Sequence, residues 1–147
     1  MNGTKQNVIK WDYRMMDLAD HIAQWSKDPN TRVGAVIADS VCRVIGMGYN
    51  GFPRGVDDTT ERYNDREQKY SFVVHAELNA ILNASIKLDT DFTTLYVTLS
   101  PCRECAKAII QAGIQRVVFK EYRSDPVTNQ MFKEAGVIMD KVGMYGV

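Results

Sequence analysis

The sequence predicts an α/β fold, a three-layer α/β/α sandwich whose helices cover both faces of a mixed central sheet of about five strands. Apolar residues recur with a helical period over residues 11–26. Two β-rich runs over 33–38 and 41–49 then follow, separated by a polar pair, as in a hairpin. Beyond residue 76 helices and strands alternate, which favours parallel pairing and a sheet covered on both faces.

The first helix is predicted from apolar residues spaced three or four apart, which places them on one face: Met15, Leu18, Ile22 and Trp25. The later elements are predicted as helices over 76–87, 102–112 and 126–135 and as strands over 94–99, 115–119 and 137–139. The inner face of the 76–87 helix is assigned to Leu78, Ile81, Leu82 and either Ser85 or Ile86.

Three features of the first half of the chain carry further expectations. Gly46 and Gly48 within the second strand predict a bulge or a close approach of another backbone. Cys42, placed in the same strand, is expected to be a small buried apolar residue. Residues 50–70 are polar and predicted as one long loop, a length that usually has a function in a compact domain.

Length and charge limit the possible functions. The 147 residues suit a single domain over 1–147, and the 18 basic residues balance the 18 acidic ones. Since binding to a nucleic-acid backbone usually needs a basic excess, we expect a small-molecule substrate rather than a polymer. We find neither an apolar run that could span a bilayer nor a signal-like N-terminus, so no membrane association and a cytoplasmic location are expected.

Three residues of the types that bind zinc lie in two short segments. His75 opens one predicted helix, while Cys102 and Cys105 share a face in the first turn of another. The partial positive charge of a helix N-terminus favours a thiolate there. A structural zinc usually has four protein ligands, whereas a catalytic zinc leaves one position open for water. Three ligands therefore predict a hydrolytic zinc centre.

Glu77 follows His75 by two residues, too close on a helix for the two side chains to point the same way. We therefore predict that this carboxylate stands beside the metal, as the group that carries protons during hydrolysis.

Simpler interpretations of these residues exist. His21 would be the fourth ligand if the zinc were structural, and a C-x-x-C pair alone also occurs in redox proteins. Glu77 on its own is also explained as a first-turn acid favoured by the helix dipole. Asn50 followed by Gly51 is a turn signal as well as a candidate ligand.

Four segments together resemble the deoxycytidylate deaminases of the zinc-dependent cytidine/deoxycytidylate deaminase family. H-x-E followed by P-C-x-x-C is the signature of zinc nucleobase deaminases. The four segments are SKDPNTRVGA at 26–35, GYNGFPRG at 48–55, HAELNAI at 75–81 and SPCRECAKAII at 100–110. The resemblance covers roughly residues 10–140 and implies a cytidine-deaminase-like fold.

The resemblance implies hydrolysis of dCMP to dUMP and ammonia, which feeds dTTP synthesis. Zinc would be bound by His75, Cys102 and Cys105, and Glu77 would be the catalytic residue. The substrate contacts it implies are Asn50 to the sugar, the Ala76 amide and the Ser100 carbonyl to the pyrimidine edge, and Tyr122, Arg123 and Arg32 near the sugar and phosphate.

The resemblance also implies a homo-hexamer that dCTP activates and dTTP inhibits, with magnesium accompanying the triphosphate. The implied effector residues are Gly48, Tyr49, Gly51, Phe52, Pro53, Gly55 and Asp58. A second, structural zinc is not expected, because only Cys42 and His21 remain as spare ligands.

Three rival functions follow from the same site. The substrate could be another cytosine nucleotide such as dCTP, or a base within RNA or DNA. The third rival is a zinc-stapled interaction protein without turnover, which the presence of Glu77 argues against.

Overall fold

The computed structural model describes residues 9–143 as one five-stranded sheet with helices on both faces. The helices are α1 (Lys10–Ala23), α2 (Thr60–Asn64), α3 (Arg66–Phe72), α4 (Ala76–Leu82), α5 (Arg103–Ala112) and α6 (Pro126–Ala135), with a 3-10 turn at Leu88–Thr90. The strands are β1 (Gly34–Ala38), β2 (Val44–Tyr49), β3 (Thr94–Leu99), β4 (Arg116–Glu121) and β5 (Ile138–Lys141).

The sheet is mixed, as predicted. Its strand order is β2-β1-β3-β4-β5. β1 is antiparallel to both β2 and β3, whereas β3, β4 and β5 are parallel to one another. The carboxyl ends of the parallel strands therefore lie at one edge, where sites of open α/β sheets form.

Each face of the sheet has its own core. On one face, α1 packs Met16, Ala19 and Ile22 against strand residues that include Val36 and Val118. On the other face, α4, α5 and α6 supply a larger set that includes Ala80, Ile109 and Phe132 and packs on the alternate strand residues, among them Ile37, Leu95 and Val117. The predicted three-layer α/β/α sandwich is confirmed.

Helix α4 lies directly on the backbone of β2. A Cβ atom added at Gly46 would lie 2.6 Å from the Ala80 carbonyl oxygen, and one added at Gly48 would lie 2.5 Å from the Ala80 nitrogen. The expected close approach is therefore present, and a register shift between Ile37 and Ala38 adds an irregularity in the same hairpin. This contact fixes the helix that carries His75 and Glu77 near its start.

Substituting Gly48→Ala is expected to displace α4, because the atoms that the new Cβ meets are backbone atoms of Ala76 and Ala80. We expect a loss of about 1–3 kcal/mol in the free energy of unfolding and weaker zinc binding. Urea titration and a competitive zinc titration measure the two effects. Gly143→Ala is the control, since a Cβ there meets nothing within 4 Å. Wild-type stability and zinc affinity in Gly48→Ala would contradict this packing argument.

The inner face of α4 differs from the prediction. The helix ends at Leu82, and Leu78 and Leu82 are exposed, while Ala76 and Ala80 are buried. The small alanines lie where the glycine backbone of β2 comes close, so Leu78 and Leu82 are left outside. Ile81, also predicted for the inner face, is partly buried and packs against the core, as predicted.

Other predicted bounds and positions are also corrected. Helix α1 ends at Ala23, and Trp25 is 52% exposed rather than packed inward. Cys42 lies in the hairpin turn with φ of 65° and is partly exposed. The 50–70 loop contains two short helices, whose first turns are capped by the Thr59 and Asp65 side chains.

A buried ionic network ties α1 to strands β3, β4 and β5 on the face of the sheet that α1 covers. Asp12 is fully buried and accepts two hydrogen bonds from Arg116, at 2.9 and 2.8 Å, and one from the Tyr96 hydroxyl at 2.8 Å. Arg116 also donates to Asp140 at 2.8 Å. Burial by itself raises the pKa of Asp12, but hydrogen bonds from Arg116, the Ile9 amide and Tyr96 outweigh it and hold the pKa below 3.8.

The variant Asp12→Asn is expected to lose about 3 kcal/mol of unfolding free energy at pH 7, because Arg116 loses a bidentate partner in a buried site. A lowered folded-state pKa stabilises the fold above pH 3.8, and this stabilisation disappears as the pH falls through the folded-state value. Urea unfolding at pH 7, 5 and 3 should therefore show that the unfolding free energy of Asp12→Asn is below that of wild type by an amount that shrinks at low pH. The exposed Asp89→Asn is the control, and equal deficits at every pH would contradict the linkage.

None of the helices described between residues 9 and 143 is long and apolar enough to cross a membrane. The prediction of one domain over 1–147 also reaches residues 1–8 and 144–147, which lie outside the described residues.

Candidate active site

The predicted metal ligands come together at the starts of two helices. His75 is the N-cap residue of α4, and Cys102 is the N-cap residue of α5, immediately after β3 and Ser100. Neither side chain caps its own helix, so both are available as ligands. A bridge between Gly51 and Val74 fixes the backbone that enters α4.

The three ligand atoms have the spacing of a zinc site. His75 Nδ1 lies 3.3 Å from Cys105 Sγ and 3.5 Å from Cys102 Sγ. Zinc–nitrogen and zinc–sulfur bonds of about 2.0 and 2.3 Å at a tetrahedral angle place N and S roughly 3.5 Å apart. Among residues 9–143 the cluster within mutual reach consists of these three, all within 4.8 Å of one another. The residues present therefore fit a zinc ion with one open position.

The electrostatics of the three ligands favour a cation. A hydrogen bond from Cys105 and one from His75 lower the pKa of the Cys102 thiol, while the same Cys102–Cys105 hydrogen bond raises the pKa of Cys105. The hydrogen bond with Cys102 also raises the pKa of His75. Cys102 is thus the ligand favoured as a thiolate, and a bound zinc ion would displace the protons that His75 and Cys105 retain.

Glu77 is buried beside the ligands but is not among the atoms of the three-membered cluster. Burial raises its pKa to about 7. A carboxyl group that titrates near neutral pH can both accept and return a proton, as a general acid–base group must.

A cavity of about 210 Å³ opens at this point. Its wall includes His75, Glu77 and Cys102. Four of the predicted substrate residues also line it: Asn50, Ala76, Ser100 and Arg123. The structure thus brings these four together with Glu77 and the three predicted zinc ligands.

Asn50 is held firmly in the cavity wall. Its Oδ1 accepts the Val33 amide at 2.8 Å, and its Nδ2 donates to the Thr31 carbonyl at 2.9 Å and to Asp28 Oδ2 at 3.4 Å. Both Nδ2 hydrogens are therefore used inside the protein, and only a second lone pair on Oδ1 remains for a ligand.

Ser100 fixes the loop that carries Arg123. The Ser100 hydroxyl accepts the Arg123 amide at 2.8 Å and lies 3.1 Å from the Arg123 carbonyl, to which it donates. The Ser100 amide donates to the Glu121 carbonyl at 2.8 Å. These hydrogen bonds hold the end of β3 beside the residues that follow β4, and Arg123 therefore lies in the cavity wall.

The structure does not bring Tyr122 or Arg32 to the wall of this cavity. The Tyr122 ring packs beside Phe119, and its hydroxyl accepts a hydrogen bond from Asn129 at 2.8 Å. Arg32 donates from Nε to the Asp28 carbonyl at 3.3 Å and lines a neighbouring groove. The resemblance to the deoxycytidylate deaminases implied that both lie near the sugar and phosphate, but neither side chain is among the residues that line this cavity.

Sequence reasoning missed several residues of the cavity wall, among them two from the segment before His75. Lys69 and Tyr70 come from α3, within the segment predicted as loop. The only signal for them was their position shortly before His75, which requires that segment to pass close to the site.

Five of the seven predicted effector residues line one cavity, and the other two do not. Gly48, Tyr49, Gly51, Phe52 and Pro53 line a second cavity of about 340 Å³, together with Trp25, Arg54, Asn79 and Asn83. Gly55 and Asp58 are not among its lining residues, and Asp58 pairs with Lys27 at 2.9 Å.

Comparison with known proteins agrees with this geometry. Residues 9–121 match the family described as the cytidine and deoxycytidylate deaminase zinc-binding region. This chain belongs to that deaminase family. Human deoxycytidylate deaminase, a relative of this deaminase, is 42% identical over 147 residues, covering 93% of this chain and 82% of the human protein. The dCMP deaminase of cyanophage S-TIM5, solved in complex with dCMP and dUMP, has a TM-score of 0.74 and 26% identity, covering 88% of this deaminase and 95% of the phage chain.

Proposed function

We propose that this deaminase hydrolyses dCMP to dUMP and ammonia and so feeds dTTP synthesis. The observation that carries the proposal is the arrangement of three zinc ligands with one open position next to buried Glu77, in a single cavity. The phage relative that was solved with dCMP and dUMP supports the choice of substrate.

His75, Cys102 and Cys105 would hold zinc, which when bound lowers the pKa of a water molecule to about 7 and makes it a nucleophile at neutral pH. Glu77 accepts a proton from the attacking water and delivers it to ring N3 of the cytosine. The water oxygen forms a bond to C4. Glu77 then moves the remaining proton of this new hydroxyl to the amino group, the C4–N bond breaks, and ammonia leaves as the C4 carbonyl forms. The raised pKa of Glu77 suits both directions of transfer.

The other cavity residues would orient the substrate. The Ala76 amide, in the first turn of α4, and the Ser100 carbonyl read the pyrimidine edge. Asn50 accepts a hydrogen bond from the sugar through its remaining lone pair, and Arg123 contacts the phosphate. Tyr122 and Arg32 are not part of this proposal, because neither side chain lines the cavity.

Regulation by dCTP and dTTP within a homo-hexamer is a second part of the proposal. The cavity beside Tyr49 and Phe52 would take the triphosphate with its magnesium ion. Exposed apolar side chains on β2 and α4, namely Met47, Tyr49, Leu78 and Leu82, support burial against other subunits. A cytoplasmic location remains a prediction from the sequence.

Ammonia release from zinc-loaded protein tests the proposal, with dCMP, dCTP, CMP, deoxycytidine and adenosine assayed in parallel. We expect turnover of dCMP, raised by dCTP and lowered by dTTP. Turnover without an effector response would refute the regulatory part alone. Turnover of dCTP in place of dCMP would make the triphosphate the substrate, and absence of turnover with any substrate would refute the proposed function.

A further inference from the structure

One wall of the active-site cavity contains a buried ion pair between Lys69 and Asp28. The Lys69 Nζ lies 2.7 Å from Asp28 Oδ2, and the two side chains are 16% and 0% exposed. Both residues line the cavity. Neither was predicted from the sequence, and the chemistry proposed above gives neither of them a role.

Asp28 is anchored rigidly. Its Oδ1 accepts the amides of Asn30 at 2.9 Å and Thr31 at 3.2 Å, and its Oδ2 lies 3.4 Å from Asn50 Nδ2. A buried carboxylate with this many donors holds a fixed position, so it also fixes the ammonium group bound to it.

Lys69 is the more exposed partner of the pair and Asp28 has no exposed surface, so Lys69 is the partner that a ligand in the cavity can contact. An ammonium group has three donors, and Asp28 occupies one of them. Among the described residues that line the cavity, Lys69 and Arg123 are the lysine and the arginine, so an anionic ligand beside them would meet positive charge from two segments of the chain. The lining carboxylates Asp28 and Asp125 are paired, with Lys69 and Arg103 respectively.

We propose that Lys69 is a specificity-determining residue that binds the substrate phosphate and so selects nucleotides over nucleosides, with Asp28 as its positioning residue. The inference rests on the proposed deamination of dCMP. A charge-assisted hydrogen bond of this kind corresponds to roughly tenfold to hundredfold in affinity. A neutral nucleoside would gain none of it.

The test compares wild type with Lys69→Met, Lys69→Arg and the double variant Asp28→Asn/Lys69→Met. The readouts are kcat and KM for dCMP, the inhibition constant of deoxycytidine and zinc content. Lys107→Met is the matched control, because Lys107 pairs with Glu104 on the exposed surface of α5. Should the wild type not turn over dCMP, calorimetric binding of dCMP and deoxycytidine gives the same comparison without relying on the reaction.

In Lys69→Met we expect KM for dCMP to rise by roughly tenfold or more. Both kcat for dCMP and the inhibition constant of deoxycytidine should stay nearly unchanged. Lys69→Arg should bring KM for dCMP most of the way back to the wild-type value, whereas the double variant should keep a raised KM. The double variant leaves no unpaired buried charge, so it carries the test if Lys69→Met does not fold. Recovery of wild-type KM in the double variant would overturn the proposal, because Lys69 would then serve only to neutralise Asp28. An equal loss for dCMP and deoxycytidine would overturn it as well.

Discussion

The variant Glu77→Gln is expected to bind zinc and dCMP but to lose about a thousandfold or more in kcat. Glutamine has nearly the same shape, yet it cannot accept the proton of the attacking water or return it to the substrate. Steady-state kinetics with zinc analysis measures the effect.

Glu104→Gln is the control for this prediction, since Glu104 lies between the two cysteines on α5 but is exposed and pairs with Lys107. Its kcat should stay close to that of wild type. If Glu77→Gln retained a kcat within about tenfold of wild type, another group would have to carry the proton.

Replacing Cys102 or Cys105 by serine is expected to reduce zinc from about one ion per chain to nearly none, with loss of activity. The sulfur atoms of Cys105 and Cys102 lie 3.3 and 3.5 Å from His75 Nδ1, so all three residues could bind one zinc ion, and a neutral hydroxyl is a poor ligand in place of a thiolate. The two ligands that remain are too few to hold zinc firmly. Metal analysis after dialysis against a weak chelator, followed by the dCMP assay, measures both effects.

Cys42→Ser serves as the matched control, because Cys42 lies in the hairpin turn between β1 and β2, outside the metal cluster. It should keep its zinc and its activity. Full zinc occupancy in Cys102→Ser and in Cys105→Ser would contradict the three-ligand centre.

The central site could be predicted from sequence because zinc chemistry restricts the residue types and helix starts restrict the positions. His75 and Cys102 are both N-cap residues, so their side chains lie at the ends of elements that could be located from apolar periodicity. The α/β/α sandwich followed from the alternation of helices and strands beyond residue 76, which the structure confirms.

The parts that could not be predicted depend on contacts between distant segments. Leu78 and Leu82 were assigned to the inward face of α4 together with Ile81, and only Ile81 packs on the core, because periodicity does not reveal that the strand beneath is glycine backbone. Lys69 reaches the cavity through Asp28, a pairing that no local pattern encodes. The family resemblance implied that Tyr122 lies near the sugar and phosphate, whereas its ring packs against Phe119 and lines a different groove.

The most direct test of the central claim is the reaction of zinc-loaded protein with dCMP in ¹⁸O-labelled water, followed by mass spectrometry and ammonia measurement. Hydrolytic deamination predicts dUMP and ammonia in equal amounts, with one labelled oxygen at C4 of the product. Unchanged dCMP in the presence of stoichiometric zinc, or dUMP that carries no label, would contradict the account.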